Sequence, residues 1–254
     1  MRTIVVANQK GGIGKTTTAM ALASLLRNDG HKVLLIDADP QGNASDTYGA
    51  VIEGEATLYD VLLERSLSDI KEAIQHTKNG DIIASDPLLR KADECLATDI
   101  EGVYHMADAL SAVKDLYDDV VIDTAPALNL LLYNCLIAAD ELIIPVVADR
   151  YSIVGLSQLY EAVTAVKRRQ NPRLTIKGLL LVKYSGRTNL SKAARDTMNR
   201  DAESIGSRLF MTTIRECVKC QEAQAAKQDL FAYAPLCTTA CDYQDFYNEA
   251  YKKG

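Results

Sequence analysis

The chain has 254 residues, 48% hydrophobic and 24% charged, with a formal net charge of −6. That balance excludes a disordered tail, a collagen-like chain and a small disulfide scaffold, and it suits one large α/β domain. No apolar run reaches the ~18 residues of a membrane-spanning helix, and the opening stretch is too short for a secretory signal. The expected location is therefore the cytoplasm, where the six cysteines stay reduced.

In chain order, residues 3–8 read as a buried strand, followed by a glycine turn and a helix over 15–28 that stops at Asp29-Gly30. Residues 32–37 form a second predicted strand, ending in Asp-Ala-Asp-Pro. Further strands are predicted over 81–84, 119–123, 141–147, 176–183 and 209–214. Helices are predicted over 106–117, 128–139, 152–170 and 190–205. Strands that are apolar throughout and alternate with helices imply an α/β fold, a mostly parallel twisted sheet with helices on both faces. No repeat or linker divides residues 1–254, so a single domain is expected.

The strongest local signal is Gln9-Lys10-Gly11-Gly12-Ile13-Gly14-Lys15-Thr16-Thr17, between the first strand and the first helix. Glycines there let backbone N–H groups converge on phosphate oxygens, and the helix N-terminus adds its positive dipole end. In such a loop Lys15 reaches the β- and γ-phosphates and the Thr16 hydroxyl holds Mg²⁺. The bland alternative is a glycine-rich helix cap, against which Gly-Lys-Thr in register behind a strand argues. Gln9 stands where the standard pattern has its first glycine, and Lys10 directly precedes the paired glycines.

That departure resembles the deviant Walker ATPases, the class of ParA/Soj, MinD and the nitrogenase iron protein. The resemblance implies a P-loop NTPase fold, and that Lys10 reaches across a nucleotide-sandwich homodimer to the partner's phosphates. Leu34-Leu-Ile-Asp-Ala-Asp-Pro-Gln-Gly-Asn43 looks like the class's second motif, which makes Asp39 the residue that orients the attacking water and Asp37 a support for the loop. Asp119-Val-Val-Ile-Asp-Thr-Ala-Pro126 looks like a Walker B strand, with Asp123 holding Mg²⁺ through water.

Beyond residue 140 the resemblance narrows to the ParA/Soj partition ATPases. Thr213-Ile-Arg-Glu-Cys-Val-Lys-Cys-Gln-Glu-Ala223 is similar to their adenine-side segment, placing Cys217 where the family commonly has Asn. A thiol cannot donate and accept as an amide does. Between Lys167 and Lys227 there are 14 Lys+Arg against 5 Asp+Glu. The resemblance implies that basic residues of this region bind DNA phosphates without reading sequence. Arg187 and Lys219 match such positions, with Lys192, Arg195 and Arg200 close to them in the same basic region. The plain alternative is a solvated charged face.

The implied partners are ATP with Mg²⁺, a second copy of the chain, non-specific DNA and a ParB-like centromere-binding protein, on the nucleoid rather than a membrane. With the loop at residue 10, no N-terminal helix-turn-helix extension is expected. A MinD-like or other positioning ATPase, acting on membrane or protein cargo, is the alternative. It would need a basic amphipathic C-terminal helix, whereas the tail from Asp242 carries three acids and looks like a helix packed back on the domain. Cys217-x2-Cys220 and Cys237-x3-Cys241 have spacings compatible with zinc, but reduced structural thiols are the expected reading. Cys95 and Cys135 fall outside any iron–sulfur pattern.

Overall fold

Neighbouring residues of a strand point to opposite faces, so a strand apolar at every position needs cover on both. In the computed structural model, which describes residues 1–63, 69–148, 152–186 and 189–252, β1 (Arg2–Val6) meets that condition. Ile4 and Val6 pack on one face and Val5 on the other. The chain then runs α1 (Lys15–Asn28), β2 (Val33–Ala38), α2 (Asn43–Tyr48), α3 (Leu58–Leu62), β3 (Ile74–Thr77), β4 (Gly80–Ile83), α4 (Ala92–Ala97) and α5 (His105–Ser111). It continues through β5 (Asp119–Thr124), α6 (Leu130–Ala138), β6 (Glu141–Val146), α7 (Ser152–Arg169), β7 (Thr175–Val182), α8 (Asn189–Ser204) and β8 (Leu209–Ile214). After β8 come α9 (Val218–Ala225), α10 (Leu230–Tyr233) and α11 (Thr238–Tyr247), which continues into a π-helical turn over Asn248–Lys252.

The strands form one sheet in the order β3-β4-β2-β5-β1-β6-β7-β8, parallel except for the β3–β4 pair. Helices α1 and α11 cover one face through Leu22, Leu26, Tyr243 and Phe246. Helices α5, α6 and α7 cover the other through Met106, Leu136 and Leu159. The predicted mostly parallel α/β sheet is the one observed.

One expectation needs correction, and two further features need explanation. The helix expected over 106–117 stops at Ser111, because i→i+3 bonds at Ala112, Val113 and Leu116 tighten the chain. That turn delivers Val113 to the core and the Tyr117 hydroxyl to Asp81 at 2.7 Å. The half-exposed hairpin strand β3 has no apolar period and was not expected. Pro145 sits inside an interior strand, where a missing N–H should be costly. Pairing of β6 with β1 has already ended at Ile143, and the Asn8 side chain donates to the Pro145 carbonyl at 2.7 Å.

Candidate nucleotide site

A parallel sheet delivers the C-terminal ends of its strands to one edge, and ligands bind where the connections diverge. Here β1 lies between β5 and β6, and Val6, Asp37 and Asp123 stand in register across β1, β2 and β5. The loop after β1 and the carboxylates of β2 and β5 therefore meet although up to 117 residues separate them.

Gly12 and Gly14 adopt φ of 69° and 88°, a left-handed backbone that a side chain would strain, with open space where a Cβ would stand. Gly14 is the N-cap of α1 and supplies no side-chain cap, so the first N–H groups of α1 face outward. Ile13 anchors the loop in the core, while Gly11 and Gly12 are exposed. Lys15 is 6% exposed, and its Nζ donates to the Lys10 carbonyl at 3.1 Å. Burial lowers its pKa, opposed by the charges of Asp123 and Asp39. Thr16 and Thr17 are half-buried behind it. Thr18, not singled out in the sequence, hydrogen bonds the Tyr243 hydroxyl of α11 at 2.9 Å.

Asp37 accepts from the Ser45 N–H at 2.8 Å and its hydroxyl at 2.7 Å. Burial raises its carboxyl to about 6 despite those bonds. Asp39 is nearly buried and accepts from the Gln41 N–H at 2.9 Å, while Ser85 donates its hydroxyl to the Asp39 carbonyl at 2.6 Å. Asp123 is fully buried, and neither carboxylate oxygen has a hydrogen-bond partner. Its carboxyl is held well above the usual range by burial and then by the charge of Asp37, with Thr16 and Lys15 pulling the other way. The Thr16 hydroxyl is thus a neighbour of Asp123 without forming a well-directed bond.

Residues 11–17 and Asp39 line an open cleft of about 600 Å³, while Asp37 and Asp123 are buried. Its opposite wall comes from the β8–α9 connection and α9, with Arg215, Glu216, Cys217, Gln221 and Gln224. Cys217 therefore lies on the cleft as expected. Ser45, Ser85 and Tyr243 support the site from far along the chain, and nothing local in the sequence marks them. An orphaned buried carboxylate beside a buried ammonium, beneath unsatisfied helix N–H groups, fits a cation carried by a polyphosphate. Asp123 and Thr16 are the side chains available to that cation.

The basic region is less uniform than its composition. Lys177, Lys183, Arg215 and Lys227 pair with Glu141, Glu216, Asp242 and Asp46. Lys219 is exposed on α9 and pairs with Glu222 at 2.7 Å. On α8, Lys192 is exposed, Arg195 donates to the Met211 carbonyl of β8 at 2.9 Å, and Arg200 bonds within its own helix. Arg187 lies outside the described residues. Among the described residues, no group of three or more His, Cys, Asp or Glu could hold a metal ion, so the zinc spacing is not realised as a site. No described helix is long and apolar enough to cross a membrane.

A family described as an AAA domain matches residues 1–176. The chain is 35% identical over 254 residues to the sporulation initiation inhibitor protein Soj of Bacillus subtilis, covering 99% of this chain and 98% of that one. It is 35% identical over 248 residues to the chromosome partitioning protein ParA of Caulobacter vibrioides, covering 96% and 91%. Among solved structures, a putative plasmid partition protein of Borrelia burgdorferi bound to AMPPNP superposes with a TM-score of 0.83 at 26% identity, covering 100% and 99%. A cobyrinic acid a,c-diamide synthase of Mycobacterium smegmatis, with bound ATP analog and magnesium, gives 0.78 at 26% identity, covering 98% and 93%. The fold is thus shared by proteins of different chemistry, but the sequence match over nearly the whole chain is to Soj and ParA. The chain belongs to the ParA/Soj family of partition ATPases.

Proposed function

We propose that this chain is a DNA-partition ATPase that dimerises on binding MgATP, holds DNA without reading its sequence, and lets go on hydrolysis stimulated by a ParB-like centromere-binding partner. The observation that carries the ATP half is the unpartnered Asp123 carboxylate beneath Lys15 and the glycine loop. Phosphoryl transfer needs positioning and charge neutralisation more than covalent chemistry. Gly11, Gly12, Ile13, Gly14 and Thr17 present the loop N–H groups to the phosphates, and Lys15 exchanges its Lys10 carbonyl for a phosphate oxygen. Thr16, and Asp123 through water, would hold Mg²⁺, which would supply neutralisation of the phosphate charge. Asp39 orients the attacking water, and Asp37 fixes the segment through Ser45. Cys217 borders the base. Lys10 acts on the partner's phosphates, which makes turnover conditional on dimerisation.

DNA binding rests on Lys192, Arg195 and Lys219 and on Arg187, carried twice in the dimer. The tail supports DNA over membrane. Its residues are already engaged, with the Tyr247 hydroxyl on Asp29, the Tyr251 hydroxyl on Glu141 and Lys252 on Asp29. The domain would act in the cytoplasm, on the nucleoid, with residues 1–254 as one working unit. The test is DNA binding with ATP, ADP and no nucleotide at two salt concentrations. Affinity that requires ATP and falls with salt is expected; equal binding in all three nucleotide states would overturn the reading.

A further inference from the structure

Two cysteines line one wall of the cleft and a third starts the helix tied to that wall, and none takes part in phosphoryl transfer. Cys217 is the N-cap of α9 and Cys220 lies one turn further along, both lining the cleft. Cys237 is the N-cap of α11, with its sulfur accepting from the Ala240 N–H at 3.4 Å. The two helix starts are tied together, since the Thr239 hydroxyl donates to the Arg215 carbonyl at 2.7 Å and the Arg215 N–H to Asp242 at 2.8 Å. Arg215 stands two residues before Cys217 and Thr239 two residues after Cys237, so these bonds set the two thiols near one another at adjoining helix starts. Burial and the charge on Cys217 push the Cys237 thiol up, and Cys220 feels the charge of both. All three thiols are half-buried, whereas Cys95 and Cys241 are exposed and Cys135 is buried in α6.

We propose that Cys217 and Cys237 form a reversible disulfide, made by a peroxide, that switches the nucleotide cleft off. Cys217 is the entry point because it faces the open cleft. Its sulfur attacks one oxygen of hydrogen peroxide, the O–O bond breaks, and a sulfenic acid and one water result. The Cys237 sulfur then displaces the hydroxyl, which leaves as a second water with the Cys237 thiol proton. Two thiols have lost two electrons and two hydrogens, and one peroxide has become two waters. Cys220 is a poorer partner, because it lies within α9 and burial holds its thiol up to about 11. A sulfur–sulfur bond of about 2.05 Å is far shorter than any contact between two unbonded thiols. The link therefore draws Cys217 off the cleft wall toward α11 and reshapes the side of the cleft away from the phosphate loop. That consequence rests on the reading of this cleft as the ATP site.

The experiment treats the full chain with hydrogen peroxide, maps tryptic peptides without reduction, and measures ATP affinity before treatment, after it, and after dithiothreitol. Cleavage at Lys219 separates Cys217 from Cys220, and fragmentation distinguishes Cys237 from Cys241. A 217–237 link is expected, with ATP affinity about tenfold weaker and restored by the reductant. Cys241→Ser should behave as wild type. Cys237→Ser keeps a helix-capping side chain, so it should fold and bind ATP when reduced, form no link, and accumulate a dimedone-reactive Cys217. A link elsewhere, no link at all, or a 217–237 link with unchanged affinity overturns the proposal. Failure of the untreated wild type to bind ATP would instead overturn the reading of the cleft, while the peptide map still decides the disulfide.

Discussion

At the scale of single residues, Lys15, Asp37 and Asp123 are ionisable groups buried beside the cleft, which ties nucleotide chemistry to protein stability. Asp37 titrates near 6 in the folded chain against 3.8 unfolded, because burial disfavours its charged form. Between those values the native state holds a proton that the unfolded state has lost. Its stabilising effect is complete below about pH 4 and disappears as pH rises through 6. Relative to Asp37→Asn, the nucleotide-free wild type should therefore lose stability between pH 4 and 6.5 in urea melts; a flat difference would contradict the burial argument. Lys15→Ala should abolish ATP binding, since the loop loses its only charge in cis. Lys10→Ala should still bind ATP as a monomer but neither dimerise nor hydrolyse it. Sedimentation with ATP separates the two variants, and normal dimerisation of Lys10→Ala would remove the reach across the interface. Asp39→Ala leaves Lys15, Thr16 and Asp123 in place. Turnover should fall roughly 10²-fold while the ATP dimer persists on DNA.

At the scale of elements, the site depends on contacts between segments distant in sequence. Helix α11 holds the first turn of α1 through the Tyr243 hydroxyl on Thr18, in a fully buried contact. Tyr243→Phe keeps the ring and removes that bond, which should cost about 1 kcal/mol in a chemical melt. It should also weaken ATP binding, because Thr18 follows the loop by one turn. Loss of stability with unchanged nucleotide affinity would show α11 to be a cover only. Edge strand β8 offers unpaired backbone groups, a liability for sheet proteins. Glu249 accepts from the Met211 and Thr212 N–H groups at 2.7 and 2.8 Å, and Arg195 caps the Met211 carbonyl. Arg195 is thus a structural residue whatever it does for DNA, and Lys192 is the cleaner probe.

For the whole molecule, the question is whether the basic third of the chain acts as a surface. Lys177, Lys183, Arg215, Lys219 and Lys227 are already in ion pairs, so the contacts tested first are those of α8 and the segment around Arg187. Lys192→Glu and Arg187→Glu should weaken binding of the ATP dimer to every duplex tested. Each lost phosphate contact should flatten the log–log salt dependence by about 0.9, and twofold symmetry counts every substitution twice. Wild-type affinity and slope in both variants would leave a solvated face, and positioning of protein cargo would become the better reading.

The phosphate loop, the strand–helix alternation and the Walker-type carboxylates were legible in the sequence because each is a local pattern. A glycine turn behind a strand, or a run apolar at every position, carries its physics within a few residues. The extent of helix α1 and of strand β8 could be read for the same reason. What the tertiary structure decided is non-local. Strand order places Asp123 beside Asp37, 86 residues earlier, and leaves its carboxylate without a partner. Packing brings Ser45, Ser85 and Tyr243 to the site, lets Pro145 stand inside a sheet, and seats β3 as an antiparallel edge. It also turns a run of positive charge into a set of ion pairs and sets Cys217 against Cys237. Sequence spacing specifies periodicity along one element, but burial, pairing and desolvation arise only when elements from different parts of the chain meet.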